Sequence, residues 1–89
     1  MKAVITVVGK DRTGIIARVS GYLAEKEINI LDISQTIMQE LFTMIMLVDT
    51  AASDITAETL SADLDAIGKD LGTQINVQHE GLFSAMHRI

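Results

Sequence analysis

The sequence contains no cysteine, only three aromatic residues and no long hydrophobic run. The absence of cysteine excludes a disulfide framework, a thiolate metal site and a cysteine nucleophile, and it is compatible with a reducing cytoplasm. The apolar run from Ala3 to Val8 is too short for the core of a signal peptide or for a bilayer span. We therefore expect a cytoplasmic protein whose fold depends on aliphatic packing.

Basic charge is also scarce, because the net charge is −5 and no block of like charges occurs. Binding to nucleic acid or to an anionic membrane needs a basic surface, so neither is expected. An RNA-recognition module would also need exposed aromatics on its central strands, where only Phe42 is available. No metal or other cofactor is expected, which leaves a small molecule or a protein as the partner.

A chain of 89 residues has room for one domain and one modest core. A domain of this size buries only about 60–65% of the surface that its unfolded chain exposes. A second copy of the chain would add stability, so we expect self-association, with a homodimer as the simplest case.

Hydrophobic periodicity predicts the element order βαββαβ. Two of the predicted strands are apolar on both alternating faces and the other two on one face only, while each helix has an apolar stripe at helical spacing. The predicted strands are Lys2–Val8, Ile28–Met38, Leu41–Val48 and Gln74–His79, and the predicted helices run from Ile15 to about Lys26 and from the N-cap Thr56 to the stop signal Gly72.

This order predicts an α+β, ferredoxin-like fold with a four-stranded antiparallel sheet and both helices on one face. The first and third strands belong in the centre because both of their faces are apolar. Their second face then needs a cover, either another copy of the chain or the C-terminal tail. We assign residues 1–80 to the domain and 81–89 to the tail, whose apolar residues Leu82, Phe83, Met86 and Ile89 follow helical spacing.

The loop after the first strand carries the most specific chemistry. The backbone N–H groups of Gly14 and Ile15 at a helix start suit a carboxylate, Asp11 suits an ammonium group, and Asn29 both donates and accepts hydrogen bonds. Together these groups match a free α-amino acid. The alternative is purely structural, with Thr13 capping the helix, Asp11 complementing its dipole and Asn29 shaping a turn.

The stretch VGKDRTGIIARVSGYLAEKEINI, residues 8–30, resembles the signature of the ACT domain family. It is similar to the ACT modules of formyltetrahydrofolate deformylases and of the glycine-cleavage-system transcriptional repressor. The C-terminal stretch VQHEGLFSAMHRI resembles a family of small stand-alone ACT proteins. Two residues depart from the family pattern, since Thr13 stands where proline is frequent and Glu27 where a helix-ending glycine is common.

The resemblance implies a regulatory, non-catalytic module that binds an amino acid or a related metabolite and acts through protein contacts. It implies a binding site where the loop after the first strand meets a neighbouring domain. The residues implied, by their positions in the motif, are Asp11, Arg12, Thr13, Gly14, Ile15, Asn29 and Ile30. Because Gly14 admits close approach of a ligand, we also expect Gly14→Val to weaken ligand binding more than folding.

Two other functions remain open at this stage. The chain could be an interaction module without a ligand, in which the loop serves only the helix. More weakly, Arg12 before a helix start could hold a phosphate, as in an acylphosphatase-like hydrolase. A nucleotide-binding loop is excluded, because Ile15 and Ile16 stand where its lysine and hydroxyl residue should be.

Overall fold

The computed structural model describes residues 2–10 and 13–79. The loop residues Asp11 and Arg12 and the C-terminal tail therefore lie outside the described residues. The elements are β1 (Lys2–Lys10), α1 (Ile15–Glu25), β2 (Asn29–Met38), β3 (Leu41–Asp49), α2 (Ala57–Leu71) and β4 (Thr73–His79). This is the predicted order, and the predicted boundaries agree to within two residues.

All strand pairs are antiparallel, and the strand order across the sheet is β2-β3-β1-β4. The first and third strands are therefore central, as their two apolar faces predicted. A two-residue turn at Gln39 and Glu40 joins β2 to β3, with positive φ at Gln39. The ferredoxin-like fold is confirmed.

The core lies between the two helices and one face of the sheet, which we call the helical face. Alternate residues of β1 and β3 point into it, and both helices add their apolar stripes. Its fully buried members include Ala3, Ile5, Val7, Val19, Leu23, Met44, Val48 and Leu64. The opposite side, which we call the open face, carries Leu41 and Ile45 about half-exposed.

The predicted caps of α2 are confirmed. The Thr56 hydroxyl accepts a hydrogen bond from the Thr59 N–H at 3.1 Å. This satisfies one of the free donors of the first turn. Gly72 ends the helix in the left-handed conformation with φ 71. Both ends of α2 thus follow from local sequence signals.

Gly9 lies in β1 and not in the loop, contrary to the sequence prediction. It pairs with Phe42 on one side and with Thr73 on the other. A Cβ at this position would lie 2.8 Å from Thr73 Cγ2 and 2.9 Å from Thr73 Cα. Glycine is rare in strands and so predicted a loop, but here it admits the close approach of β4.

The C-terminal end of α1 forms a Schellman motif without glycine. The Ile28 N–H donates to the Leu23 carbonyl at 2.9 Å, and the Glu27 N–H donates to the Ala24 carbonyl at 3.1 Å. Glu27 occupies the left-handed position with φ 60. A residue with a Cβ pays about 1–2 kcal/mol for this conformation, so the end of α1 is strained at Glu27.

We expect Glu27→Gly to stabilise the protein. The substitution removes the strain of the left-handed conformation, and the free energy gained exceeds the cost of glycine's greater freedom in the unfolded chain by about 0.5–1 kcal/mol. In a domain this small, that gain raises the melting temperature by about 2–8 °C. Calorimetry measures the shift, and Glu27→Ala is the control because alanine keeps the Cβ. A gain of equal size in both variants would show that loss of the glutamate charge is responsible instead.

Two polar contacts join the outer surfaces of the helices. Tyr22 donates its hydroxyl to Asp63 Oδ2 at 2.6 Å, and Arg18 Nη1 lies 2.8 Å from Asp70 Oδ2. Burial, the hydrogen bond to Asp63 and the nearby negative charges of Asp63 and Glu25 raise the pKa of the Tyr22 hydroxyl well above its usual range. The neutral hydroxyl is therefore the form that the folded state favours.

Tyr22 is the single tyrosine of the chain, so its titration can be followed by tyrosinate absorbance. We expect ionisation well above the usual pKa of about 10. Asp63→Ala should lower the pKa but leave part of the shift, because burial remains. Since the folded-state pKa is raised, the associated stability is present below about pH 10 and is lost as the pH rises further.

The control for this titration is Asp65→Ala, which removes an exposed carboxylate from the same helix. Asp65 lies 3.3 Å from Lys69 and makes no contact with Tyr22 that contributes to the shift. A normal tyrosine titration in the wild type, or equal effects of the two alanine substitutions, would contradict the role assigned to Asp63.

Candidate functional site

The predicted site residues lie near two opposite ends of the sheet. At one end, which we call the loop end, β1 finishes at Lys10, opposite Leu41, and α1 begins soon afterwards. At the other end, Lys2 and Asn29 both pair with Asp49. Gly14 is thus near the loop end, whereas Asn29 is at the far end.

Gly14 is the N-cap of α1 and has left-handed backbone angles, φ 93 and ψ 0. Among residues 2–10 and 13–79, no side chain hydrogen-bonds to this cap. The structural alternative in which Thr13 caps the helix is therefore wrong, and Thr13 is exposed. The N–H groups of the first turn lack partners within the helix, so they offer backbone donors to an anion.

The remaining described site residues differ in what they offer. The Ile15 side chain is buried in the core, so this residue can contribute only its backbone N–H. Ile30 is partly buried against the core and lies opposite Val48 on the helical face. Asn29 is exposed. Asp11 and Arg12, which carry the charges of the predicted site, lie outside the described residues.

Within one chain the structure does not bring Gly14 and Asn29 together. The eleven-residue helix α1 lies between them and has a length of about 16 Å. An amino acid is too small to span that distance. A site that uses both residues therefore requires two chains, each contributing one end of its sheet.

A shallow pocket of about 220 Å³ lies beside Gly14. Its floor comprises the first turn of α1 and the helical face of β2 and β3, and the lining residues are Gly14, Ile15, Ile16, Ala17, Gln35, Ile37 and Phe42. Gln35 is the one polar side chain among them. The pocket combines backbone donors, apolar walls and an amide that both donates and accepts.

Sequence reasoning missed Gln35 and Ile37, which line this pocket from β2. The alternation in Ile28–Met38 predicts only a strand with one apolar face, because a strand pattern does not show which residues a helix start will face. The pairing of Gln35 with Met44 and of Ile37 with Phe42 puts both on the helical face. The signal available was their spacing of two, which places them on one face of β2.

A larger groove of about 560 Å³ runs between the outer surfaces of α1 and α2. Its floor is made of small residues that include Ala17, Gly21 and Ala66. Within it the Tyr22 hydroxyl is already bonded to Asp63, so that polar group is not available to a ligand. The smaller pocket has backbone donors that lack a partner within the helix, and it is the better candidate site.

The geometry of Gly14 also changes one sequence prediction. At φ 93 any residue with a Cβ is strained, although nothing lies within 4 Å of where that Cβ would be. Gly14→Val would therefore weaken folding as well as any binding, so this variant does not separate the two effects. A side chain that lines the pocket, such as Gln35, gives a cleaner test.

Within residues 2–10 and 13–79, no helix is long and apolar enough to cross a membrane. Over the same ranges, no three His, Cys, Asp or Glu side chains are placed to hold a metal ion.

The model of the ACT domain family matches residues 2–78 of the chain. The UPF0237 protein of Clostridium acetobutylicum is 58% identical over 89 residues, covering all of both chains. The UPF0237 protein of Methanocaldococcus jannaschii is 53% identical over 88 residues, covering 99% of this chain and 98% of the relative.

Solved structures agree with this match. An ACT domain protein from Streptococcus pneumoniae has a TM-score of 0.84 and 46% identity, covering 93% of each chain. A protein described as a glycine cleavage system transcriptional repressor has a TM-score of 0.76 and 26% identity, covering 89% of this chain and 47% of the other. A formyltetrahydrofolate deformylase from Pseudomonas putida shares the fold, with a TM-score of 0.79 and 14% identity, over 89% of this chain and 29% of its own.

The chain therefore belongs to the ACT domain family, and within that family to the small UPF0237 proteins. The resemblance found in residues 8–30 is confirmed.

Proposed function

We propose that the protein is a regulatory module of the cytoplasm that binds a free amino acid or a related metabolite and acts through contacts with other chains. The observation that carries the proposal is the pocket at the start of α1 in a chain that matches the ACT family over residues 2–78. The same family membership supports a binding role over catalysis.

The pocket suits the carboxylate end of an amino acid. The N–H groups of the first turn of α1, which have no partner within the helix, are donors, and the helix dipole favours a negative charge there. Ile16 and Ile37 supply apolar surface for a side chain, and Gln35 supplies a hydrogen-bonding amide. The ammonium group is assigned to Asp11, as the sequence prediction has it.

The proposed site includes residues from both ends of the sheet. Thr13 and Gly14, which follow Arg12 in the chain, belong to the loop end, while Asn29 and Ile30 belong to the opposite end. We propose that Asn29 and Ile30 serve a site formed with a neighbouring chain. Binding would then depend on assembly, which would give a ligand a direct means of changing a protein contact.

The alternative is an interaction module without a ligand, and one observation favours it. Large apolar side chains are exposed along β2, including Ile33 and Ile37, as expected of a docking surface. The hydrolase alternative has weaker support, because among the described residues that line the pocket only Gln35 has a polar side chain.

A thermal-shift panel of the free amino acids tests the proposal. At a hundred times its dissociation constant a ligand adds about 2.7 kcal/mol, which is a shift of about 10–20 °C for a domain this small. We expect at least one amino acid to raise the melting temperature, and Asp11→Ala and Gln35→Ala each to reduce that shift.

The control variant is Asp54→Ala, which removes an exposed carboxylate near the start of the other helix. Asp54→Ala should leave the ligand-induced rise in melting temperature unchanged. If the carboxylates near helix starts acted only through their negative charge, Asp54→Ala would reduce this rise as much as Asp11→Ala does. A complete panel at millimolar concentration with no shift above about 1 °C would favour the ligand-free interaction module, since a ligand at its dissociation constant adds about 0.4 kcal/mol.

A further inference from the structure

The open face of the sheet carries a largely apolar stripe that is two strands wide. Alternation along β1 and β3 puts every second residue on this face, and strand pairing sets these residues side by side. At the centre of the stripe Thr6 pairs with Ile45, whose side chain is 48% exposed. From the far end to the loop end, the stripe comprises Val4, Leu47, Thr6, Ile45, Val8 and Thr43. The buried residues of α1 and α2 pack on the helical face, so neither helix covers this stripe.

Polar side chains border the stripe on both sides. The residues of β2 that pair with its β3 members are Asp32, Ser34 and Thr36. The residues of β4 that pair with its β1 members are Gln74, Asn76 and Gln78. The stripe itself is about 10 Å wide, because adjacent strands lie about 4.8 Å apart. An α-helix with its side chains has about the same diameter, 10–12 Å, so the width fits one helix.

The chain segment that follows β4 has a matching pattern. Residues 80–89 lie outside the described residues, but their sequence predicts one apolar side at helical spacing. The apolar side of such a helix carries Leu82, Phe83, Met86 and Ile89. The opposite side carries Ser84, His87 and Arg88. As a helix, residues 82–89 would be about 12 Å long, and the stripe from Val4 to Val8 is about 13 Å long.

This segment begins next to the stripe. β4 ends at His79, and the preceding residue, Gln78, pairs with Val4 at the far end of the stripe. From β4 to the middle of the stripe is one and a half strand spacings, about 7 Å. Glu80 and Gly81 are available for the turn onto the open face, since glycine is a common turn residue. The segment can therefore reach the stripe of its own chain.

We propose that residues 80–89 pack on the apolar stripe of their own chain as a short amphipathic helix, with the apolar side towards Ile45. A second copy of the chain is the other possible cover. Its open face would also remove the polar borders from water, which costs free energy unless each polar group finds a hydrogen-bond partner. The attached segment leaves those borders exposed, and a short linker gives it an effective concentration in the millimolar range.

The proposed packing limits how the protein can contact other chains. With the stripe covered, the open face is closed to a partner unless residues 80–89 are displaced. The contacts that the proposed function requires would then use the edges of the sheet and the outer surfaces of the helices. The packing does not depend on a ligand, so its tests are made without one.

The first test measures whether the stripe is covered. The chain contains no cysteine, so Ile45→Cys introduces a single thiol. Adding Phe83→Asp should raise the alkylation rate of this thiol about tenfold or more, because loss of one buried large side chain shifts the packing equilibrium by at least that factor. Ser84→Asp is the matched control, since it adds the same charge on the opposite side of the helix and should leave the rate unchanged. Circular dichroism checks that each variant is folded.

Two results of this test would overturn the proposal directly. If Phe83→Asp leaves the alkylation rate unchanged, and Met86→Asp does so too, residues 80–89 do not cover the stripe. If Phe83→Asp and Ser84→Asp accelerate alkylation equally, no particular side of the segment faces the sheet. Protection that is lost on dilution from about 100 to 1 micromolar would assign the stripe to a second copy and would also overturn the proposal.

The second test identifies which chain supplies the segment. Ile45→Cys combined with Met86→Cys should be cross-linked within one chain by a short bismaleimide, because the two thiols lie on facing surfaces. Ile45→Cys combined with Arg88→Cys is the control and should react more slowly, since Arg88 falls on the opposite side of the helix. A denaturing gel separates cross-links within a chain from those between chains.

A cross-link between chains in the Ile45→Cys, Met86→Cys variant would show that the segment covers the stripe of another copy, contrary to the proposal. Equal rates for the two cysteine pairs would show that the segment is not packed in the proposed orientation. A faster cross-link within one chain for the Met86→Cys pair is the result that supports it.

Discussion

The fold depends on the fact that two helices cover only one face of a four-stranded sheet. Burial of the helix-facing side chains of β1 and β3, including Ile5 and Met44, removes the largest continuous apolar surface from water. The same arrangement leaves the open face uncovered by α1 and α2. The helices also do not fully bury β2, because Ile33 and Ile37 lie on the helical face and are still about half-exposed. The exposed surfaces of the molecule are thus consequences of how its core is made.

The candidate site follows from the same geometry. The helix α1 must start close to the end of β1 in order to lie back over the sheet, and Gly14 makes this turn in a left-handed conformation. No described side chain caps the helix, and its first N–H groups point towards the loop end with no partner in the helix. The site that we propose therefore offers mainly backbone groups, because Gln35 is the one polar side chain among the described residues that line the pocket.

Several features could be predicted from the sequence because they depend on local patterns. The strand and helix positions follow from hydrophobic periods of two and 3.6, and the caps Thr56 and Gly72 follow from residue type. Periodicity alone does not place Gly9 in β1, because the reason for a glycine there is the distant residue Thr73, whose Cα lies 2.9 Å from where a Cβ at Gly9 would be. Gln35 was missed for the same reason, because its role depends on the start of a helix about twenty residues earlier.

By itself, then, the sequence determined the element order, the central and edge strands and the membership of the ACT family, since each of these depends on periodicity or on a contiguous motif. The tertiary structure decided which residues share a location. It showed that Gly14 and Asn29 lie near opposite ends of one sheet, and that the exposed apolar residues gather along β2. The physical reason is that strand pairing decides which positions of the chain are neighbours in the sheet. The bulge at Leu31 is an example, because it arises only when β2 pairs with β3.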